Sequence, residues 1–445
     1  VDFQTLYTPG RYYLYAGAFR VFGTTFDVAT GVDALSKALQ AWLAWHVAAR
    51  ISGSRLLALL ALAAGLGFSH SYPALAAAFA AVLLAARAAG EPKHALSVAA
   101  GAAAGVAAWF RQDIGFAAAV AVVATLWVGT EGTAAARARR SALAGASAAA
   151  ALGALLLPAI VAAPARLWQG LVTNPAATVP FRNEGVFTIF SADWVYVAVA
   201  LLALTGGAIG LVRGLRSPGR ENALAAGVGV LALWSVNYCA MRPDAHHVIP
   251  AGIMAGVVGG AMFPRRLGLR TAAWALCAAA VLVPCARATL VRASVVTGHR
   301  RPSSEPIGDV APGAHSLYFP ADEAESYRRL VARVRELVPP DGTFLSACRR
   351  HDVIHDQDLL LYFAAGRPAV PYDWHFDPGI TTREDVQRGI VDDCERARID
   401  VIVRFGGPAA DEDLGPAGSR FLDEWIAAHF APAETIGRYA IWTRR

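Results

Sequence analysis

The sequence predicts a polytopic α-helical membrane protein with a C-terminal α/β domain outside the bilayer, and three observations predict it. Of 445 residues, 56% are hydrophobic and 17% charged, and mean hydropathy is +0.41. An ordinary soluble domain carries roughly 25% charge, and a soluble chain of this length needs more polar surface. These values exclude a soluble enzyme, a disordered protein and a secreted disulfide scaffold. The acidic residues divide unevenly: ten of the 34 precede position 293 and 24 follow it. Residues 1–292 therefore read as a transmembrane unit, 293–320 as a linker and 321–445 as a water-soluble domain. Third, long apolar runs recur through the first part. The net charge of +6 is no argument for nucleic acid, because much of the basic excess lies in short loops where it sets membrane orientation.

The chain opens at Val1 with a polar, aromatic segment and no cleavable signal pattern; the expectation is a fragment or a misplaced start. Apolar runs follow over 28–49, 55–69, 72–88, 94–110, 114–130, 141–163, 193–213, 222–240, 246–263 and 271–292, about ten candidate transmembrane helices, several near the lower limit of length for a span. Ala and Gly fill most of them, as in a closely packed bundle. Loops carrying Arg50 and Arg55; Arg87 and Lys93; Arg137, Arg139 and Arg140; Arg213, Arg216 and Arg220; and Arg265, Arg266 and Arg270 alternate with loops carrying only Arg111, Arg166, Arg182 and Arg242. The positive-inside rule puts the first set in the cytoplasm, and the N-terminal segment, the 164–192 loop and the C-terminal domain outside. In that loop Leu167, Trp168 and Leu171, then Phe187, Phe190 and Trp194, read as an interfacial belt before a substrate lid.

The C-terminal domain alternates helix and strand. A helix over 321–338 shows Leu330, Val331, Val334 and Leu337 on one face. Thr343–Ser346 reads as a strand, Asp358 as the cap of a helix that Gly366 stops, and 368–372 as extended. A helix follows over 382–398, a strand over 399–405, a helix over 421–430 and a closing strand over 435–443. The pattern suggests a layered α/β sandwich. Cys239, Cys277 and Cys285 read as small core residues, whereas Cys348 and Cys394 are either a disulfide or two free thiols.

Polar residues at the ends of apolar runs carry the functional expectation. Asp2, the Arg111-Gln112-Asp113 segment and the Arg242-Pro243-Asp244-Ala245-His246-His247 segment all fall at the outer surface in this topology. Guanidinium groups grip phosphate oxygens through a planar fork, and a carboxylate accepts a proton from a hydroxyl. Asp2, Asp113 and Asp244 are therefore the candidate catalytic residues, and Arg111, Arg242, His246 and His247 the candidate substrate-binding residues. Plainer readings stand beside them: an interfacial Arg111–Asp113 salt bridge, a turn held by Arg242 and Asp244, and solvated imidazoles at a helix start. Lys37, Gln40 and His46 read as intrahelical or snorkelling groups. His351-Asp352-x-x-His355-Asp356-x-Asp358 is metal-like in composition but lacks a recognised ligand spacing, so a divalent metal is an alternative that no motif requires.

The segment Asp2-Phe3-Gln4-Thr5-Leu6-Tyr7-Thr8-Pro9-Gly10-Arg11-Tyr12-Tyr13-Leu14, continuing to Phe22-Gly23, resembles the first outer loop of bacterial GT-C membrane glycosyltransferases, relatives of the protein O-mannosyltransferases and aminoarabinose transferases. Arg111-x-Asp113-x-Gly115, Arg242-x-Asp244-x-x-His247, Asp358-Leu359-Leu360 to Gly366-Arg367-Pro368, Pro378-Gly379, Ile399–Val403 and Tyr439-Ala440-Ile441-Trp442 are also similar. The resemblance covers nearly the whole chain, and the order of the motifs carries more than any one of them. It implies transfer of a sugar from a polyprenyl-phosphate lipid to an acceptor glycan, lipid or protein, at the outer face of a bacterial cytoplasmic membrane. Within it, Asp2 matches the second acidic position of the first loop; the first such position and the helix before it are absent here. The alternative is a transporter or a non-catalytic lipid-binding membrane protein. A transporter predicts paired repeats and mid-membrane polar residues, whereas here no repeat is evident and the polar residues gather at helix ends.

Overall fold

A computed structural model describes residues 8–68, 72–91, 93–177, 194–241, 247–261, 282, 304–310, 313, 317–353, 355–370, 373, 375–376, 379–406 and 418–445. Most of the expected span over 271–292 lies outside the described residues. The helices of the apolar part are α1 (Gly10–Phe22), α2 (Phe26–Ser52), α3 (Leu59–Gly67), α4 (Pro73–Gly90), α5 (His94–Phe110), α6 (Gln112–Gly129), α7 (Ala134–Ala162), α8 (Pro164–Trp168), α9 (Trp194–Arg216), α10 (Arg220–Met241) and α11 (Val248–Ala261). Among the described residues five helices, α4, α6, α7, α9 and α10, are long and apolar enough to cross a membrane, and α5 and α11 are shorter apolar helices. The run expected over 55–69 is only a 9-residue helix, α3, too short to span. The run expected over 28–49 belongs to a 27-residue helix, α2, whose first half carries Asp27, Asp33 and Lys37. These are the differences from the ten spans read in the sequence.

Local signals set the boundaries. Thr25 caps α2 by accepting a hydrogen bond from the Val28 amide, and Gly53 ends it in the left-handed region at φ 67°. Thr133 caps α7 in the same way. Small residues set the packing. A Cβ on Gly101 of α5 would lie 2.0 Å from the Ala144 carbonyl oxygen of α7, so the two backbones touch. One end of the bundle is basic: Arg87 pairs with Glu91 at 2.9 Å, Arg220 with Glu131 at 3.3 Å, and Arg137 and Arg140 donate to the Thr130 and Ala88 carbonyls. The opposite end carries α1, Tyr72 and Arg111.

The C-terminal part comprises β1 (Ser304–Pro306), β2 (Tyr318–Pro320), α12 (Ala321–Leu337), β3 (Leu345–Ala347), β4 (His355–Asp356), α13 (Leu359–Ala365), β5 (His375–Phe376), α14 (Glu384–Arg396), β6 (Val401–Phe405), α15 (Phe421–His429), β7 (Phe430–Ile436) and β8 (Tyr439–Arg444). The main sheet has the order β3-β6-β8-β7, with β3 parallel to β6 and the other pairs antiparallel. Buried Tyr327, Leu330, Val331 and Val334 of α12 pack with Val401, Val403 and Ile441 on one face. Ile390 and Cys394 of α14 and Leu422 and Ile426 of α15 pack with Leu345 and Ile402 on the other, which makes the three layers. Asp358 caps α13 and Gly366 closes it at φ 67°, as expected. Cys348 and Cys394 are buried free thiols, and burial pushes the Cys394 thiol up to about 12.

The short strands β1, β2, β4 and β5 have no counterpart in the sequence reading, and the closing element differs from it. The single closing strand is a hairpin, β7–β8, turning at Gly437 with φ 57°, as a tight hairpin requires. The domain meets α2 directly: Phe26 packs edge-on to Phe363 at 5.1 Å, and the Asp27 amide donates to the Gly313 carbonyl at 2.9 Å.

Candidate functional site

Arg111 is the one residue between α5 and α6, and its extended backbone, φ −162° and ψ 116°, reverses the chain. The reversal is tight because residue 115 is glycine: a Cβ there would lie 2.1 Å from Ala108 Cα. The Arg111 side chain is only 13% exposed and its Nε donates to Asp113 Oδ1 at 2.9 Å. The guanidinium lies 4.5 Å from the centre of the Tyr238 ring and 5.8 Å from that of Tyr72. A desolvated cation over such a ring gains about 2 kcal/mol. Tyr238, from α10, also stacks on Trp234 at 5.4 Å and on His247 at 4.7 Å. The structure thus gathers three of the sequence-predicted residues, Arg111, Asp113 and His247, around a tyrosine that the sequence did not single out. The salt bridge weighed as a plain reading is formed, and His247 does precede a helix, stacked rather than merely solvated. Asp2, Arg242, Asp244 and His246 lie outside the described residues.

Helix α1 covers this end. Thr8 Oγ1 donates to the Ala108 carbonyl at 2.7 Å, and the Thr8 amide donates to Gln112 Oε1 at 3.2 Å. Tyr13 stacks on Trp109 at 5.9 Å. Arg11 Nη2 pairs with Asp33 Oδ1 at 3.0 Å and donates to Tyr15, whose hydroxyl donates to the same carboxylate oxygen at 2.8 Å. Burial pushes the Tyr15 phenol up against the pull of Arg11, so it serves as a donor. Between α1 and the helix ends lies a cavity of about 380 Å³ lined by Arg11, Tyr12, Tyr15, Tyr72 and Arg111 among others. Its floor is tied to α2: buried Gln40 accepts from the Tyr72 amide at 2.8 Å, and its Nε2 has no partner among the described residues. Gln40 is therefore an interhelical tie, a correction to the intrahelical reading, whereas His46 does stack within α2 on Trp42. Two guanidinium groups, three phenols and a threonine give the cavity the means to hold an anion and the hydroxyls around it.

The metal-like segment of the C-terminal domain has another use. His351 is fully buried; its Nδ1 lies 3.0 Å from Asp423 Oδ1, and its Nε2 accepts from the Cys348 amide at 3.1 Å. That acceptor role puts the proton on Nδ1, and both ring nitrogens are occupied. Arg404 Nη2 donates to Asp423 Oδ1 at 2.5 Å, and Arg350 pairs with Asp352 at 2.8 Å. Asp423 is held below the usual carboxylate range: burial alone would raise it, and the His351 and Arg404 contacts outweigh burial. Asp358 is likewise engaged, accepting from Tyr439 at 3.0 Å and Tyr327 at 3.3 Å. Among the described residues no group of three or more His, Cys, Asp or Glu side chains could hold a metal ion. No family model matches the chain, and no curated protein matches it.

Proposed function

We propose that the protein transfers a sugar from a polyprenyl-phosphate lipid to an acceptor at the outer face of a bacterial cytoplasmic membrane. In this reading the long apolar helices carry the chain across the bilayer, the arginine-rich end faces the cytoplasm and the C-terminal domain is extracytoplasmic. The observation that carries it is Arg111, a desolvated guanidinium held by Asp113 and Tyr238 at the end of the bundle away from the basic loops, opening on a cavity with a second arginine. Phosphate at the membrane boundary suits such a group. The helix end gives it access to a lipid headgroup, and the fork matches the oxygens. Asp113 orients Arg111, and the acceptor's proton passes to Asp2 or Asp244. Hydroxyls of the sugar meet the tyrosines of the cavity.

The test is binding and transfer by the purified full chain in nanodiscs, with a radiolabelled polyprenyl-phosphate hexose and pentose as probes. Arg111→Ala is expected to weaken binding by about 10- to 100-fold, the worth of one or two charge-assisted hydrogen bonds, and Arg111→Lys to restore it in part. Equal binding by the parent and Arg111→Ala, or no binding of either probe by the parent, would refute the reading.

A further inference from the structure

We infer that the C-terminal domain holds a second small-molecule pocket, between the first turns of α12 and the β7–β8 hairpin, that binds one neutral pyranose ring. The inference does not depend on the transfer chemistry proposed above. The pocket has a volume of about 200 Å³. An apolar cavity of about 150 Å³ takes one benzene ring, so this one has room for a single six-membered ring and its substituents.

Its floor is aromatic and fixed. Phe319, Tyr327 and Tyr439 line it; Phe319 packs on Tyr327 at 4.4 Å, and Tyr439 on Phe405 at 5.2 Å. Both tyrosine hydroxyls donate to Asp358, which also caps α13, so the rings cannot swing. At the mouth the Ser326 side chain sits against the Gly437 backbone, since a Cβ on Gly437 would lie 2.7 Å from Ser326 Cβ.

The rim narrows the ligand class. Asp322 and Ser326 line the pocket and have no side-chain hydrogen-bond or ion-pair partner among the described residues. Glu323 pairs with Arg438 at 2.6 Å. Glu323 and Arg438 neutralise each other, so Asp322 is the uncompensated charge of the rim; it disfavours an anion and offers two acceptor oxygens to hydroxyl groups. Acceptors, a donor and a hydroxyl around an aromatic floor suit a neutral ring with one C–H face and several hydroxyls.

Saturation-transfer NMR on the full chain in nanodiscs, free of glycoside detergent, tests this with methyl α-glucopyranoside, α-mannopyranoside and α-galactopyranoside. At least one is expected to give a saturable signal. Ser326→Trp fills the pocket and is expected to abolish it, and Asp322→Ala, at an exposed position, to weaken it at least fivefold with the melting curve unchanged. Arg111→Ala is expected to leave it intact. Absence of saturable binding of all three probes, binding unaffected by Asp322→Ala, or binding lost with Arg111→Ala would each overturn the assignment. The last result would place the sugar in the cavity under α1 instead.

Discussion

Replacing Asp423 by Ala removes the group on which one corner of the C-terminal domain converges. Its two oxygens accept from the His351 amide at 3.0 Å, from His351 Nδ1 at 3.0 Å and from Arg404 at 2.5 Å, and its side chain is 5% exposed. The variant strands a buried N–H, a buried imidazole N–H and part of a guanidinium that keeps the Cys348 and Arg349 carbonyls. Breaking one side of a buried charge pair costs about 3–5 kcal/mol. The Cys348 thiol supplies the assay, because the Cys348 amide bonds to His351 and the residue is fully buried. Buried thiols react only when the region opens, so labelling by a maleimide reports local opening without unfolding the apolar helices. With Cys239, Cys277 and Cys285 replaced by Ser and Cys394, the other buried thiol of the domain, by Ala, Asp423→Ala is expected to speed labelling by about two to four orders of magnitude, at 1.4 kcal/mol per tenfold. Asp423→Asn keeps the shape and an acceptor and is expected to fall between. Labelling of Asp423→Ala within threefold of the parent would refute the account of the tie.

Gly115→Ala presses a methyl into Ala108 and is expected to cost about 1–3 kcal/mol by overpacking, seen as a lower melting temperature; an unchanged midpoint would mean that the α5–α6 turn yields freely. Asp373 is pushed up to about 6 by burial and by Asp393, against Arg166. A raised carboxyl holds its proton better in the folded state, so it favours folding below roughly pH 4 and opposes it above pH 6. Asp373→Asn is therefore expected to stabilise the domain at pH 8 by about 1–3 kcal/mol and to change little at pH 4; a variant melting below the parent at pH 8 would contradict the sign.

Much of the C-terminal domain was legible because its signals are local. Asp358 and Gly366 mark the ends of α13 by their own chemistry, and the face of α12 repeats at helical spacing. Strand β7 was not legible: Pro432 interrupts it and the register shifts between Pro432 and Glu434, which an edge strand tolerates but a strand pattern does not reveal. At the candidate site Arg111, Asp113 and His247 stood out as charge or imidazole beside apolar runs. Tyr238 did not, and Gln40 read as an intrahelical or snorkelling group, because their partners come from other parts of the chain. Asp33 was hidden for the same reason: only the folding of α1 back onto α2 brings Arg11 to it.

The length of α2 links two places treated so far as separate. Its 27 residues make a rod of roughly 40 Å. The C-terminal domain grips one tip through Phe26 and Asp27, and Gln40 holds the cavity floor roughly 18 Å from the other tip. The half of α2 beyond Gln40 is clamped: Ala41, Ala44 and Val47 are fully buried, and a Cβ on Gly65 of α3 would lie 2.6 Å from Ala41 Cα. The half from Phe26 to Leu39 has no buried residue, so α2 is a post fixed in the bundle from Gln40 onward that carries the C-terminal domain on its free half, and the cavity floor stands at the fixed end.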